Sequence, residues 1–370
     1  MDNLTHALAG AALARTRLGS MSRLAPLVLV LGANLPDVDV VWSMVGGKEN
    51  YLVHHRGFTH SLLGVVVGAV VLAAICRFVE RRFFAATAPT GFRAWLVPAL
   101  VSGMTHPALD LLNTYGVRPW LPFSTTRYHG DLVYIVDPWL WLAFGGIAAV
   151  GGRTTRVGNW TWIVIAAGTS FFLYTEDRTP AFLKLWWPLG LGSVVLLRAI
   201  GAGTRWPPLV LRTGAIVVAL YLGGLELAAR IAWRNVDEVD DVDRYGRVAM
   251  RAPSAANPGR WRFYFESEEW VEVLEADVMG GARHVRRIGP RRLSDPLVLA
   301  AADSRAGAAW RYFARLPWAV VEEELVQSGQ GGRVRLVLAD ARYQFTREPS
   351  WSSVEVELSA EEAAGTRAAR

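Results

Sequence analysis

Six of the seven histidines of this 370-residue chain fall within its first 130 residues, and aspartates accompany them in short recurring arrangements. His6 closes the opening Asn3-Leu4-Thr5-His6. Asp37 and Asp39 follow Asn34-Leu35-Pro36. His54, His55 and His60 share one short stretch with Arg56, Gly57 and Thr59. His106 and Asp110 come next, and Asp131 and Asp137 end the series. Imidazole nitrogen and carboxylate oxygen are the donors that zinc, manganese and iron accept. An ion held by such donors can activate water and clamp a phosphoryl or acyl oxygen, which is the chemistry of hydrolysis. The single cysteine, Cys76, excludes an intrachain disulfide and the usual thiolate zinc sites, and reads as a small apolar residue in a helix.

Taken one at a time these motifs are weak. A histidine beside an apolar run is more often hydrogen-bonded than metal-bound, Asn-Leu-Pro-Asp makes a helix stop, and Thr59-His60-Ser61 makes a helix cap. Spacing strengthens them. In a helix His106 and Asp110 share one face, although Pro107 could instead open a restarted helix with His106 at its cap. Asp37 and Asp39 share a face of a strand or converge across a turn after Pro36. His55 and His60 bracket Gly57 at a turn spacing.

The elements that must position these groups are apolar. Hydrophobic residues make up 52% of the chain and charged ones 19%, with a mean hydropathy of +0.22. A soluble protein carries about a quarter charged residues. Six runs suit membrane spans: Ser61–Cys76, Ala94–Leu112, Pro138–Gly152, Val157–Thr175, Leu185–Leu197 and Thr213–Ala229. Two shorter runs, Leu4–Ala14 and Leu24–Leu35, precede them. The start, Met1-Asp2-Asn3, lacks the basic stretch of a cleavable leader. Residues 1–235 hold 20 Lys+Arg against 11 Asp+Glu, whereas residues 236–370 hold 19 against 22. The basic excess sits in short connectors between apolar runs, so it speaks for membrane topology and against nucleic acid.

If all eight runs cross, twelve arginines fall on one side with Glu80 as the only acid, and eight basic residues fall on the other with ten acids. The positive-inside rule makes the first side cytoplasmic and leaves both termini outside. In this topology every His and Asp of the constellation falls at the outward end of its segment. A charged group inside an apolar segment costs at least ~2.5–3.5 kcal/mol, which a bound cation would offset.

On these residues the chain resembles the inner-membrane metal-dependent hydrolases of the YdjM type. The matching pieces are Met1-Asp2-Asn3-Leu4-Thr5-His6, Leu35-Pro36-Asp37-x-Asp39, His55-Arg56-Gly57-x-Thr59-His60-Ser61, and His106-x-x-x-Asp110 with Asn113-Thr114-Tyr115-Gly116. They cover a little over a third of the chain. The resemblance implies a membrane-embedded hydrolase. A fainter likeness, in the order of ligands only, is to zinc-dependent phospholipases C.

Beyond Arg234 the composition changes. An acidic linker, 237–243, precedes segments with partial two-residue alternation at Trp261–Phe265, Glu269–Leu274, Arg333–Leu338 and Ser353–Leu358. Gly329-Gln330-Gly331-Gly332 supplies a turn, and Ala308–Ala314 a short helix. Glu322-Glu323-Glu324 reads as a solvated run, His284 as a surface residue, and the last dozen residues as frayed.

The expected architecture is therefore an all-α polytopic membrane domain of six to eight helices over 1–235, followed by a small α+β extramembrane domain over 236–370. The expected site is a metal centre of His6, Asp37, Asp39, His55, His60, His106 and Asp110. It would hold one or two divalent transition metal ions, zinc foremost, with Asp39 as a general base and Arg56 as a phosphate holder. The expected function is that of a metal-dependent hydrolase in the bacterial inner membrane. Its site would face outward, and its partners would be the lipid bilayer and a lipid or phosphoester substrate. Two alternatives stand beside it: a structural metal site without catalysis, and a transporter with acids along an ion path.

Overall fold

The computed structural model describes residues 1–84, 90–152, 155–177, 179–239, 245–324, 333–359, 362, 363 and 366. The glycine-rich turn at 329–332, most of the acidic linker, Arg153, Arg178 and nearly all of the terminal tail lie outside the described residues. The chain divides into two compact units. The first comprises Met1–Val38, Arg56–Ile231 and Ala252–Trp261; the second comprises Asp39–His55, Ala232–Arg251 and Arg262–Arg370.

The N-terminal region is helical. Its helices are α1 (Asn3–Leu13), α2 (Ala25–Asn34), α3 (Val41–His54), α4 (Leu62–Phe83), α5 (Arg93–Leu111), α6 (Pro138–Val150), α7 (Arg156–Thr175), α8 (Ala181–Ala199), α9 (Ala202–Arg205) and α10 (Pro207–Asp237). By length and composition four stretches can cross a membrane: Ala25–His54, Leu62–Phe83, Ala181–Ala199 and Pro207–Asp237. Their surfaces carry many exposed apolar side chains, such as Val70, Ile75, Leu196 and Leu220, which fits a lipid environment.

Within the first unit, α1 packs on α2, α5 and α6, while α5 packs on α2 and α4. Small residues let these helices approach closely. A side chain at Gly10 would strike the Leu29 carbonyl oxygen at 2.5 Å, and one at Gly32 would strike Ser102 Oγ. Close approach of this kind is how helices associate where no hydrophobic effect separates them from lipid. A buried cluster of Val28, Ala69, Leu72, Ala73, Cys76, Trp95 and Ala99 joins α2, α4 and α5. Cys76 is thus a packing residue.

Pro107 does not restart the helix. Helix α5 runs unbroken from Arg93 to Leu111 with Pro98 and Pro107 inside it. Each proline removes the amide that would bond the carbonyl four residues earlier, Ala94 and Gly103; Ser102 Oγ makes a back-bond of its own to the Pro98 carbonyl at 2.8 Å.

A small β-sheet domain follows. Its strands β1 (Arg247–Ser254), β2 (Asn257–Glu266), β3 (Val271–Asp277) and β4 (Ala282–Ile288) form one sheet in that order. Helices α11 (Pro296–Asp303) and α12 (Arg305–Phe313) come next, and then β5 (Pro317–Glu324), β6 (Arg333–Asp340) and β7 (Val354–Ser359) form a second sheet. Four of these strands coincide with the alternating segments of the sequence. Strands β1, β4 and β5 and helix α11 are additional. Strand β4 escaped because it is rich in arginine. Its Arg283 meets Glu275 at 2.8 Å, and His284 meets Glu272 at 2.6 Å, both glutamates being buried on β3. Cross-strand ion pairs therefore take the place of apolar alternation there. The run Glu322–Glu324 is part of β5, where Glu322 lies 3.7 Å from Arg335.

Candidate metal centre

Helix α1 is held by its cap. The Asp2 carboxylate accepts from Thr5 N at 3.0 Å and from Thr5 Oγ1 at 2.6 Å, and Trp141 Nε1 of α6 donates to it at 3.0 Å. The next residue after Thr5, His6, is buried with no exposure, facing inward toward α5. Asp37 arrives on a 3-10 segment, Leu35–Val40, that follows α2 directly. His60 ends a second 3-10 turn, Phe58–His60. Ser61 then caps α4 by accepting from Gly64 N at 2.9 Å. The helix-cap reading of Thr59-His60-Ser61 is realised by Ser61, and its neighbour His60 turns inward to meet His106. His106 and Asp110, four apart on α5, point to the same face, and both are fully buried.

Four donor atoms converge there. His60 Nε2 lies 3.3 Å from Asp37 Oδ1 and 3.4 Å from Asp110 Oδ2. His106 Nε2 lies 3.4 Å from the same Asp37 oxygen and 3.5 Å from the same Asp110 oxygen. The two Nε2 atoms are 3.0 Å apart. An ion bound at ~2.0–2.1 Å inside a tetrahedron separates its donors by about 3.3 Å. The observed spacings of 3.0–3.5 Å bracket that value.

The protonation state of His106 sharpens the point. Its Nδ1 lies 2.6 Å from the Ala33 carbonyl oxygen, an acceptor with no proton to give. Nδ1 must therefore carry a proton, and in the neutral imidazole Nε2 is then an acceptor facing two carboxylates and His60. A cation between these acceptors would satisfy all of them at once. Metal-binding histidines characteristically donate their second nitrogen to a carbonyl in this way. His6 adds a second observation. Its ring stacks on His106 at 3.7 Å, its Nε2 is 3.4 Å from Asp110 Oδ1, and neither of its buried nitrogens makes a hydrogen bond. Leaving such a group unsatisfied costs about 1–3 kcal/mol, so a ligand there has an energetic reason. Asp110 Oδ2 is likewise buried without a hydrogen-bond donor. The residues present fit a metal ion.

Arg56 supports Asp110 from behind. Its Nη2 is 3.0 Å from Asp110 Oδ1, its Nη1 donates to Asn113 Oδ1 at 2.9 Å, and its guanidinium lies 4.5 Å over the Tyr115 ring. The same Asn113 oxygen accepts from Tyr115 N at 2.9 Å. Arg56 has φ 55, a left-handed conformation that a non-glycine residue adopts at a cost of order 1–3 kcal/mol. The strain falls on the arginine and not on Gly57, whose φ is −91. Arg127 approaches the Tyr115 ring as well, at 5.1 Å.

The seven expected ligands fall in both compact units. His6, Asp37, His60, His106 and Asp110 gather in the first unit. Asp39 and His55 belong to the second, where His55 Nδ1 lies 2.9 Å from Asp39 Oδ1 and the His55 ring stacks on Tyr51. His54 packs near Trp42 on α3. Asp137 is a helix cap: it accepts from Trp139 N at 2.9 Å and Leu140 N at 3.2 Å, and Tyr221 OH donates to it at 2.7 Å. Burial pushes its carboxyl up to about 6 against the pull of the Tyr221 hydroxyl. Sequence reasoning missed the Ala33 carbonyl, since a backbone acceptor leaves no trace in residue type. It also missed the role of Asp2, although an Asp before a helix is a recognisable cap.

The sequence model of a family described as YdjM inner membrane protein matches residues 1–179, a span that contains every expected ligand. The inner membrane protein YbcI of Escherichia coli (strain K12) is 34% identical over 136 residues, 30% of this chain and 74% of that protein. The uncharacterized protein YfhP of Bacillus subtilis (strain 168) is 30% identical over 154 residues, 39% of this chain and 44% of its own length. The chain thus spans less than half of YfhP and about three quarters of YbcI. No solved structure matches the chain.

The four-donor geometry predicts how metal content responds to substitution. Elemental analysis of detergent-purified protein should find close to one equivalent of a divalent transition metal, and His106→Ala should lose it. Arg56→Lys, which keeps the charge but loses the fork, should weaken retention about 10–100-fold against a competing chelator. Unchanged metal content in His106→Ala would contradict the assignment.

Proposed function

The chain belongs to the YdjM inner membrane protein family, and from that premise we propose that it is a membrane-bound metal-dependent hydrolase acting on a phosphoester or lipid-linked substrate. The observation that carries the proposal is His106, held through Nδ1 by the Ala33 carbonyl, with its Nε2 facing Asp37, Asp110 and His60 at metal-ligand spacing. A divalent ion in this place would supply activated water and polarise a phosphoryl or acyl oxygen. Zinc suits nitrogen and carboxylate donors without thiolate.

In this reading His60, His106 and Asp110 fix the ion. Asp37, the least buried of the four with 13% side-chain exposure, lies on the side where a substrate enters. Arg56 holds Asp110 in place and adds positive charge beside a developing phosphoryl anion. The Asp39–His55 couple is a carboxylate–imidazole pair of the kind that moves protons, with Asp39 as general base. The substrate class follows from a site built on apolar helices and from the arginine beside it.

A structural metal site is the second reading. Its support is that four protein donors complete a tetrahedron, whereas catalytic zinc usually keeps three and leaves one position open. Hydrolysis therefore requires one donor, most simply the partly exposed Asp37, to yield its position.

The membrane arrangement in this proposal has six to eight crossings. The arginine-rich connectors are cytoplasmic, and the metal centre and C-terminal domain lie on the outer face. Reporter fusions after Arg82 should read cytoplasmic, and fusions after Tyr115 and at the C-terminus external. A cytoplasmic reading after Tyr115 would overturn this arrangement.

Catalysis and structure separate in one experiment. Detergent-purified protein is assayed on a panel of phosphoester and lipid-phosphate substrates, with and without chelator. The hydrolase reading expects chelator-sensitive turnover that Asp39→Asn lowers by about 10²–10⁴-fold, with metal content and thermal stability retained. If no chelator-sensitive turnover appears and metal removal chiefly lowers the melting temperature, the structural reading replaces it.

A further inference from the structure

The first unit holds a second feature on the far side of α1 from His6. Leu8 follows His6 by two residues, roughly 200° around the helix. It lines a cavity of about 410 Å³ among α1, α6, α7 and α8. That volume lies within the ~300–1,000 Å³ typical of ligand sites. Trp141, Trp162, Trp187 and Val194 line it too, and the wall is overwhelmingly apolar. Among the described residues that line the cavity, none is acidic, and one, Arg198, is basic.

A second arginine stands beside that end. Arg198 donates to the Ala149 carbonyl and, at 2.6 Å, to Asn159 Oδ1; Arg15 Nε donates to the adjacent Ala148 carbonyl at 2.8 Å. Burial, and after it the charge of Arg198, pull the Arg15 guanidinium below its ordinary value, so the two cations feel one another. Both cap the C-terminal carbonyls of α6, which accounts for their placement. A guanidinium has five donors, and capping a helix end is compatible with receiving a phosphate on the same group.

We propose that this cavity binds an anionic phospholipid, with a hydrocarbon chain among Trp141, Trp162 and Trp187 and the headgroup phosphate on Arg15 and Arg198. An apolar chamber lined by Arg198, with Arg15 beside it, matches both halves of such a molecule; a zwitterionic lipid carries a cation beside its phosphate that the two arginines repel, and an uncharged lipid has no phosphate. The site is separate from the metal centre and stands or falls independently of hydrolysis.

Native mass spectrometry of the full chain in detergent tests it. The probes are phosphatidylglycerol, phosphatidylcholine with the same chains, and glycerol 3-phosphate as the phosphate without chains. One phosphatidylglycerol should be retained at activation energies that strip phosphatidylcholine, and glycerol 3-phosphate should not displace it. Arg15→Gln with Arg198→Gln should erase the preference, a loss of roughly tenfold or more. Because those changes also uncap α6, Ala166→Phe provides a second test: it fills the cavity from α7 and leaves both arginines. It should lower phosphatidylglycerol retention while metal content stays unchanged. Equal retention of the two phospholipids by the unaltered chain, displacement by glycerol 3-phosphate, or full retention by Ala166→Phe would each overturn the proposal.

Discussion

The hydrogen bond from His106 Nδ1 to the Ala33 carbonyl decides the chemistry of the first unit. It fixes the tautomer, and the tautomer turns Nε2 into an acceptor facing two carboxylates and a second imidazole. Arg56 meets one oxygen of Asp110, but His60, His106, Asp37 and the other Asp110 oxygen still crowd together inside an apolar helical cluster, where desolvation is expensive. With a cation between them, the same groups become mutually supporting. Ala33 reaches His106 because α2 and α5 touch through Gly32 and Ser102. Helix packing and ligand geometry are therefore one constraint.

The supporting layer follows the same logic. Asp110 is oriented by Arg56, Arg56 by Asn113 and Tyr115, and the orientation of Arg56 requires a left-handed backbone next to Gly57. Local strain is placed where a side chain must be aimed, and it is held by buried hydrogen bonds on both sides. Asp2 fixes the start of α1 and, through Trp141, ties it to α6, so His6 sits on a helix secured at its capped end.

Much of this centre was legible in the sequence, because helical spacing is a strong geometric rule. The i,i+4 spacing of His106 and Asp110 alone puts the pair on one helical face. The Asp after Pro36 and the His before Ser61 are recognisable as turn residues able to project inward. What could not be read was grouping. Asp37 and Asp39 are two residues apart, yet they fall in different compact units, and Asp39 joins His55 there. Five of the expected groups belong to the first unit, and Asp39 with its partner His55 belongs to the second. Likewise the arginines of β4 hid a strand, since buried glutamates on β3 satisfy them. The four candidate spans of the structure all overlap apolar runs seen in the sequence.

In the proposed centre His60, His106, Asp37 and Asp110 share one ion. X-ray absorption at the metal edge of the purified protein reads that shell directly. The account predicts nitrogen and oxygen neighbours at ~2.0–2.1 Å, with the outer-shell scattering of two imidazoles and no sulfur. It also predicts loss of one imidazole contribution in His60→Ala. A spectrum of a fully hydrated ion, or one without imidazole scattering, would contradict it.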